Sequence, residues 1–146
     1  MSLHHFGGLP FFMDSSHLVT LAVIAFCVLM SAYFSATETA YSSLSRVRMK
    51  NMASDGNKRA ALVLRQSENY DKLISTILIG NNIVNILATS LATVFFMQLF
   101  PLTGATISTI VMTLVILIFG EISPKSIAKD VPERFSMFSA PLLNVL

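Results

Sequence analysis

Leu73 to Phe100 reads LISTILIGNNIVNILATSLATVFFMQLF, 28 residues without one Asp, Glu, Lys or Arg. A bilayer core of about 30 Å needs about 20 apolar helical residues to cross it. This run is therefore a membrane span, and it carries three side-chain amides near its middle. Working outward, Leu102 to Gly120 is a second charge-free run of 19 residues, and Leu18 to Leu44 holds only one charge, Glu38. The expectation is an all-α integral membrane domain with three transmembrane helices, over about residues 17–44, 73–100 and 104–128.

Composition agrees. Of 146 residues, 53% are hydrophobic and 12% charged, half the charged share of about 25% usual in a soluble domain. A net charge of +2 is too small to indicate a nucleic-acid partner. No Lys or Arg precedes Arg46, and the first apolar run is too long for the hydrophobic region of a cleaved signal peptide. Cys27 is the single cysteine, so no disulfide forms within the chain. All ten basic residues lie either between the first two spans (Arg46, Arg48, Lys50, Lys58, Arg59, Arg65, Lys72) or after the third (Lys125, Lys129, Arg134). The positive-inside rule then puts the N-terminus outside and the C-terminus inside, in a multi-pass protein of the cell (inner) membrane.

The basic loop, residues 45–72, interleaves Val47, Met49, Met52, Leu62 and Val63 with its charges, and Asp55-Gly56-Asn57 reads as a turn between two short helices. Such a pair would lie along the membrane surface with its cations near anionic lipid headgroups; a solvated connector is the alternative. Pro132 suits the first turn of a further helical segment, residues 132–146. That segment stops in mid-pattern, as a fragment of a longer protein would.

Polar groups inside a span are costly and face a cavity, a partner or the bundle interior. Ser31, Ser35 and Glu38 fall at i, i+4 and i+7 on one face of the first span. Helix packing explains the serines equally well, and Glu38 can be an interfacial carboxylate that snorkels or pairs with an arginine. Asn81, Asn85 and Thr89 share a face of the second span, while Asn82 points elsewhere. Three amides in five residues after Gly80 exceed what interhelical adhesion requires. In the third span, Pro124 lacks an N–H, so the carbonyl of Gly120 loses its helical donor beside the carboxylate of Glu121. The alternative there is an i, i+4 ion pair between Glu121 and Lys125.

These groups offer hydroxyl, amide, carboxylate and carbonyl oxygens, which suit Mg²⁺, Ca²⁺ or Na⁺ rather than zinc or copper. His4, His5 and His17 lie outside the apolar runs and read as surface residues. No metalloprotease motif, paired intramembrane aspartates or phosphate loop is present, so an enzyme is not expected.

Three motifs carry a resemblance: Ser35-Ala-Thr-Glu38-Thr-Ala, Gly80-Asn81-Asn82-Ile-Val-Asn85 and Gly120-Glu121-Ile-Ser-Pro124-Lys125. In this order they resemble the transmembrane domain of the CNNM/CorC family of magnesium transporters. The resemblance implies a homodimer with a cytoplasmic CBS-type region beyond this chain, exporting Mg²⁺ in exchange for Na⁺. It also implies that Ser35, Asn81, Asn85 and Glu121 line the ion site. The carbonyl of Gly120 joins them on the proline argument, with Ser31, Glu38, Asn82, Thr89, Pro124 and Lys125 as second-shell or Na⁺ candidates. Two other readings stand beside transport of Mg²⁺: a membrane anchor that senses Mg²⁺ without moving it, and a carrier of another divalent cation.

Overall fold

The computed structural model describes residues 14–146, all helices and connectors with no strand among the described residues. His4 and His5 lie outside that range. In chain order the elements are α1 (Ser15–Ser43), α2 (Arg46–Ser54), α3 (Lys58–Ser67), α4 (Tyr70–Leu99), α5 (Gly104–Val115), a π-helical stretch (Ile116–Ile122), α6 (Ser123–Asp130) and α7 (Pro132–Leu143). Three helices are long and apolar enough to cross a membrane: Ser15–Ser43, Tyr70–Leu99 and the composite Gly104–Asp130.

α1 and α4 run antiparallel. His17 Nε2 meets Gln98 Oε1 at 3.3 Å near one end, and Ser31 Oγ meets Asn81 Oδ1 at 2.9 Å midway. The seam between the spans sets small side chains against larger ones, with Cys27, Ala88 and Ala92 buried beside Ile24 and Met112. Phe26, Leu29, Ile79, Ile83, Ile86 and Phe119 point outward, as expected where lipid tails replace water as solvent and apolar residues need no burial.

Two glycines are demanded by geometry. At Gly104 a Cβ would fall 2.4 Å from the carbonyl oxygen of Phe96, so only glycine allows the reversal from α4 into α5. Gly56 holds φ +95°, the left-handed region that glycine enters without steric cost, and turns α2 into α3. Asn57 then caps α3, its Oδ1 accepting from the N–H groups of Arg59 (3.0 Å) and Ala60 (3.1 Å). The two short helices expected in the basic loop are present, joined at the expected turn.

α7 starts at Pro132 and folds back on α1 and α3. Tyr33 Oη donates to the Ser139 carbonyl at 2.9 Å and Gln66 Nε2 to the Ala140 carbonyl at 2.9 Å. Together with Met49, Val63 and Leu143, these contacts close a second buried cluster at the end of the bundle that carries the basic helices.

The third span departs from one continuous α-helix. At Ile116–Ile122 the coil widens, and the N–H of Ser123 bonds the Ile118 carbonyl five residues back. Pro124 then sits in the first turn of α6, so its missing N–H falls where the π-helical stretch gives way to regular α-helix. The proline is thus absorbed by a π-turn, a feature that recurs at functional positions in helices.

Candidate functional site

The centre of the bundle is a node joining all three spans. Ser31 on α1 is wholly buried. Its Oγ lies 2.9 Å from Asn81 Oδ1 on α4 and 3.5 Å from the Gly120 carbonyl in the π-helical stretch. The proline argument singled out that carbonyl, and the hydroxyl that reaches it comes from another helix. Close approach depends on two glycines. A Cβ on Gly120 would stand 2.9 Å from Ser31 Oγ, and one on Gly80 would stand 2.6 Å from the ring of Phe34.

On either side of this node lies a buried oxygen without a hydrogen-bond partner: Ser35 Oγ and Asn85 Oδ1. Such an orphan costs about 1–3 kcal/mol, and neighbouring hydroxyls in the same helices show how it is normally avoided. Thr37 Oγ1 donates to the Tyr33 carbonyl at 2.6 Å, and Thr89 Oγ1 to the Asn85 carbonyl at 2.6 Å. Ser35 and Asn85 each lie one turn from a node residue, but α1 and α4 are antiparallel, so they lie on opposite sides of it. At 1.5 Å rise per residue the two are about 12 Å apart along the axis. One Mg²⁺ with oxygens at about 2.1 Å cannot touch both in this arrangement. The structure therefore brings Ser31, Asn81 and Gly120 together and sets Ser35 and Asn85 above and below them.

Glu121 is half-buried and has no ion-pair partner among the described residues. The alternative pairing with Lys125 does not occur. Lys125 Nζ instead lies 3.3 Å from Glu38 Oε2, so the partner of Glu38 is a lysine on α6 and not an arginine of the basic loop. The alanines Ala36, Ala40 and Ala128, buried between α1 and α6, let the two backbones approach closely enough for that contact. Asn82 is exposed on the outer face of α4 and makes no contact with the node. Thr89 is satisfied within its own helix, so neither supports a ligand role here. His17 is half-buried, with its ring against Phe95 at 5.6 Å, rather than a free surface residue.

Ser31 is the residue whose importance the sequence understated. Its signal was its place four residues before Ser35 on the polar face of α1, but which serine would meet Asn81 depended on helix register. No group of three or more His, Cys, Asp or Glu side chains able to hold a metal occurs among the described residues. The available ligands are neutral oxygens with one or two carboxylates, a donor set for hard cations.

These features define a class: a multi-pass, all-α membrane domain with an oxygen-lined polar centre where its three spans meet. The chain belongs to the CNNM family, whose Cyclin M transmembrane N-terminal domain profile matches residues 22–146. It is 43% identical over 135 residues to a UPF0053 protein of Haemophilus influenzae, covering 92% of this chain and 32% of that protein. It is 45% identical over 117 residues to the UPF0053 inner membrane protein YfjD of Escherichia coli, covering 80% of this chain and 27% of that one. A chloroplastic DUF21 domain-containing protein of Arabidopsis thaliana is 34% identical over 106 residues, covering 73% of this chain and 16% of that one. The chain spans about a third or less of the length of these relatives.

Proposed function

We propose that this domain carries Mg²⁺ across the cell (inner) membrane, outward in exchange for Na⁺, by way of the polar centre between its spans. The observation that carries the reading is the pair of orphaned buried oxygens, Ser35 Oγ and Asn85 Oδ1, beside a node that already joins three helices. Buried oxygens without donors are costly in a membrane, and a cation supplies what they lack.

Glu121 supplies the charge. Asn81, Asn85, Ser35 and the Gly120 carbonyl replace water oxygens around the ion in succession rather than all at once, because Ser35 and Asn85 flank the Ser31 node. Mg²⁺ gives up water reluctantly and demands near-octahedral geometry, so a path of partial sites suits it better than one closed cage. Moving a divalent ion outward against an inside-negative potential costs about 4–5 kcal/mol per 100 mV, twice the single-charge figure. Inward Na⁺ offsets that cost. The N-terminus outside, a homodimer that completes the wall of the path, and a cytoplasmic CBS-type region beyond this chain belong to the same reading.

The test is Mg²⁺ loss from loaded proteoliposomes on addition of external Na⁺, with Glu121→Ala beside wild type. Efflux should fall at least tenfold in the variant; unchanged Na⁺-dependent efflux would remove Glu121 from its role. The second reading, a Mg²⁺-sensing anchor without transport, draws on the hydrogen bonds by which Ser31, Asn81 and Gly120 satisfy one another. A sensor would bind Mg²⁺ in the same vesicles yet release none. Competition by Ca²⁺, Mn²⁺ or Co²⁺ decides the choice of cation.

A further inference from the structure

Glu121 and Lys125 stand four residues apart across the junction between the π-helical stretch and α6, the spacing at which a carboxylate and an ammonium normally meet. In this protein they do not. The ammonium of Lys125 is drawn to Glu38 of α1, with Nζ 3.3 Å from Oε2. Glu38 is the only acidic residue in α1, and the close α1–α6 packing through Ala36, Ala40 and Ala128 holds it against α6.

We propose that Glu38 is a positioning residue that sequesters the Lys125 ammonium and so keeps the Glu121 carboxylate free for a cation. Without Glu38, the acidic residue of the third span at the i, i+4 spacing from Lys125 is Glu121, since Asp130 stands five residues beyond it. A fixed ammonium there neutralises the carboxylate and repels a divalent ion, and both effects grow as solvent screening falls. Glu38 thus acts on the ion without touching it. The inference rests on the reading of Glu121 as a cation ligand.

The experiment is a double-mutant cycle on the intact chain in detergent micelles, with Mg²⁺ alone as the probe and its dissociation constant read by calorimetry. Glu38→Gln weakens Mg²⁺ binding at least tenfold. Lys125→Gln by itself changes it less than threefold, because the ammonium is already held away. Glu38→Gln with Lys125→Gln returns affinity to within threefold of wild type, because no ammonium remains to occupy Glu121. This non-additivity separates sequestration from a general field effect. If the two charges acted only through their fields, Lys125→Gln would tighten binding by the same factor in both backgrounds, and that result overturns the proposal.

A double variant as weak as Glu38→Gln also overturns it, since Glu38 would then be a ligand or a packing requirement. Should Glu38→Gln fail to fold, Lys125→Gln still decides: a tenfold change in either direction refutes sequestration. Glu121→Gln is the separate control. If it binds Mg²⁺ as wild type does, the ligand role of Glu121 fails whatever the cycle shows. If it abolishes binding while the cycle is additive, only the role of Glu38 fails.

Discussion

Gly120→Ala tests the node most directly. The added Cβ would lie 2.9 Å from Ser31 Oγ and 3.4 Å from Ser31 Cβ. The first contact is about half an ångström too short, and Ser31 is fully buried, so either its hydroxyl turns away or the helices part. Moving it breaks the 2.9 Å bond to Asn81. Overpacking costs about 1–3 kcal/mol and the lost hydrogen bond about 0.5–1.5 kcal/mol, while alanine in a helix returns about 1 kcal/mol relative to glycine. The net loss is about 0.5–3.5 kcal/mol, or a fall in Tm of about 2–12 °C for a chain of this length. Cys27 provides the assay, being the only cysteine in the chain and buried. A thiol-reactive fluorophore reports its exposure as the detergent-solubilised protein is heated. The same substitution in a Ser31→Ala background should cost little, because the clashing oxygen is gone and the remaining 3.4 Å contact is ordinary. If Gly120→Ala lowers Tm equally in both backgrounds, or not at all in wild type, the glycine is not there for Ser31.

Asn85→Leu should raise Tm in Mg²⁺-free buffer by a few degrees, because it replaces an orphaned buried oxygen with an apolar group of similar size. It should also abolish any stabilisation by Mg²⁺, which for wild type amounts to about 2.7 kcal/mol at a hundredfold excess over Kd. A lower Tm with the Mg²⁺ response intact would make Asn85 a packing residue. Asn57→Ala removes the cap that accepts from Arg59 and Ala60 and should cost about 1 kcal/mol, read as faster amide exchange confined to α3; unchanged exchange there would show that α7 alone holds this helix.

Much of the architecture was written locally. The length of each charge-free run decides that Ser15–Ser43, Tyr70–Leu99 and Gly104–Asp130 can cross a bilayer, since a helix rises a fixed distance per residue. Gly56 and Asn57 likewise mark their turn and cap by their own backbone preferences. Periodicity put Ser31 and Ser35 on one face of α1, and Asn81 and Asn85 on one face of α4, because spacing by four residues is intrinsic to the helix.

What periodicity cannot supply is the relation between helices. Whether Asn81 meets Ser31 or Ser35 depends on the axial register of α1 against α4, and the close approach of Phe34 to Gly80 belongs to that register. That register separates Ser35 from Asn85 and turns a single expected ligand cage into a succession of levels. The partner of Lys125 was equally undetermined. Glu121 is its neighbour in sequence, but Glu38, 87 residues away in the chain, is its neighbour in space, because three buried alanines bring α1 against α6. The sequence by itself determined three spans and the chemistry of their polar residues, both consequences of local composition and helical spacing. Only the tertiary structure decided which of these oxygens are satisfied, which lack a partner, and that Glu38 rather than Glu121 pairs with Lys125, because those depend on close packing between helices distant in the chain.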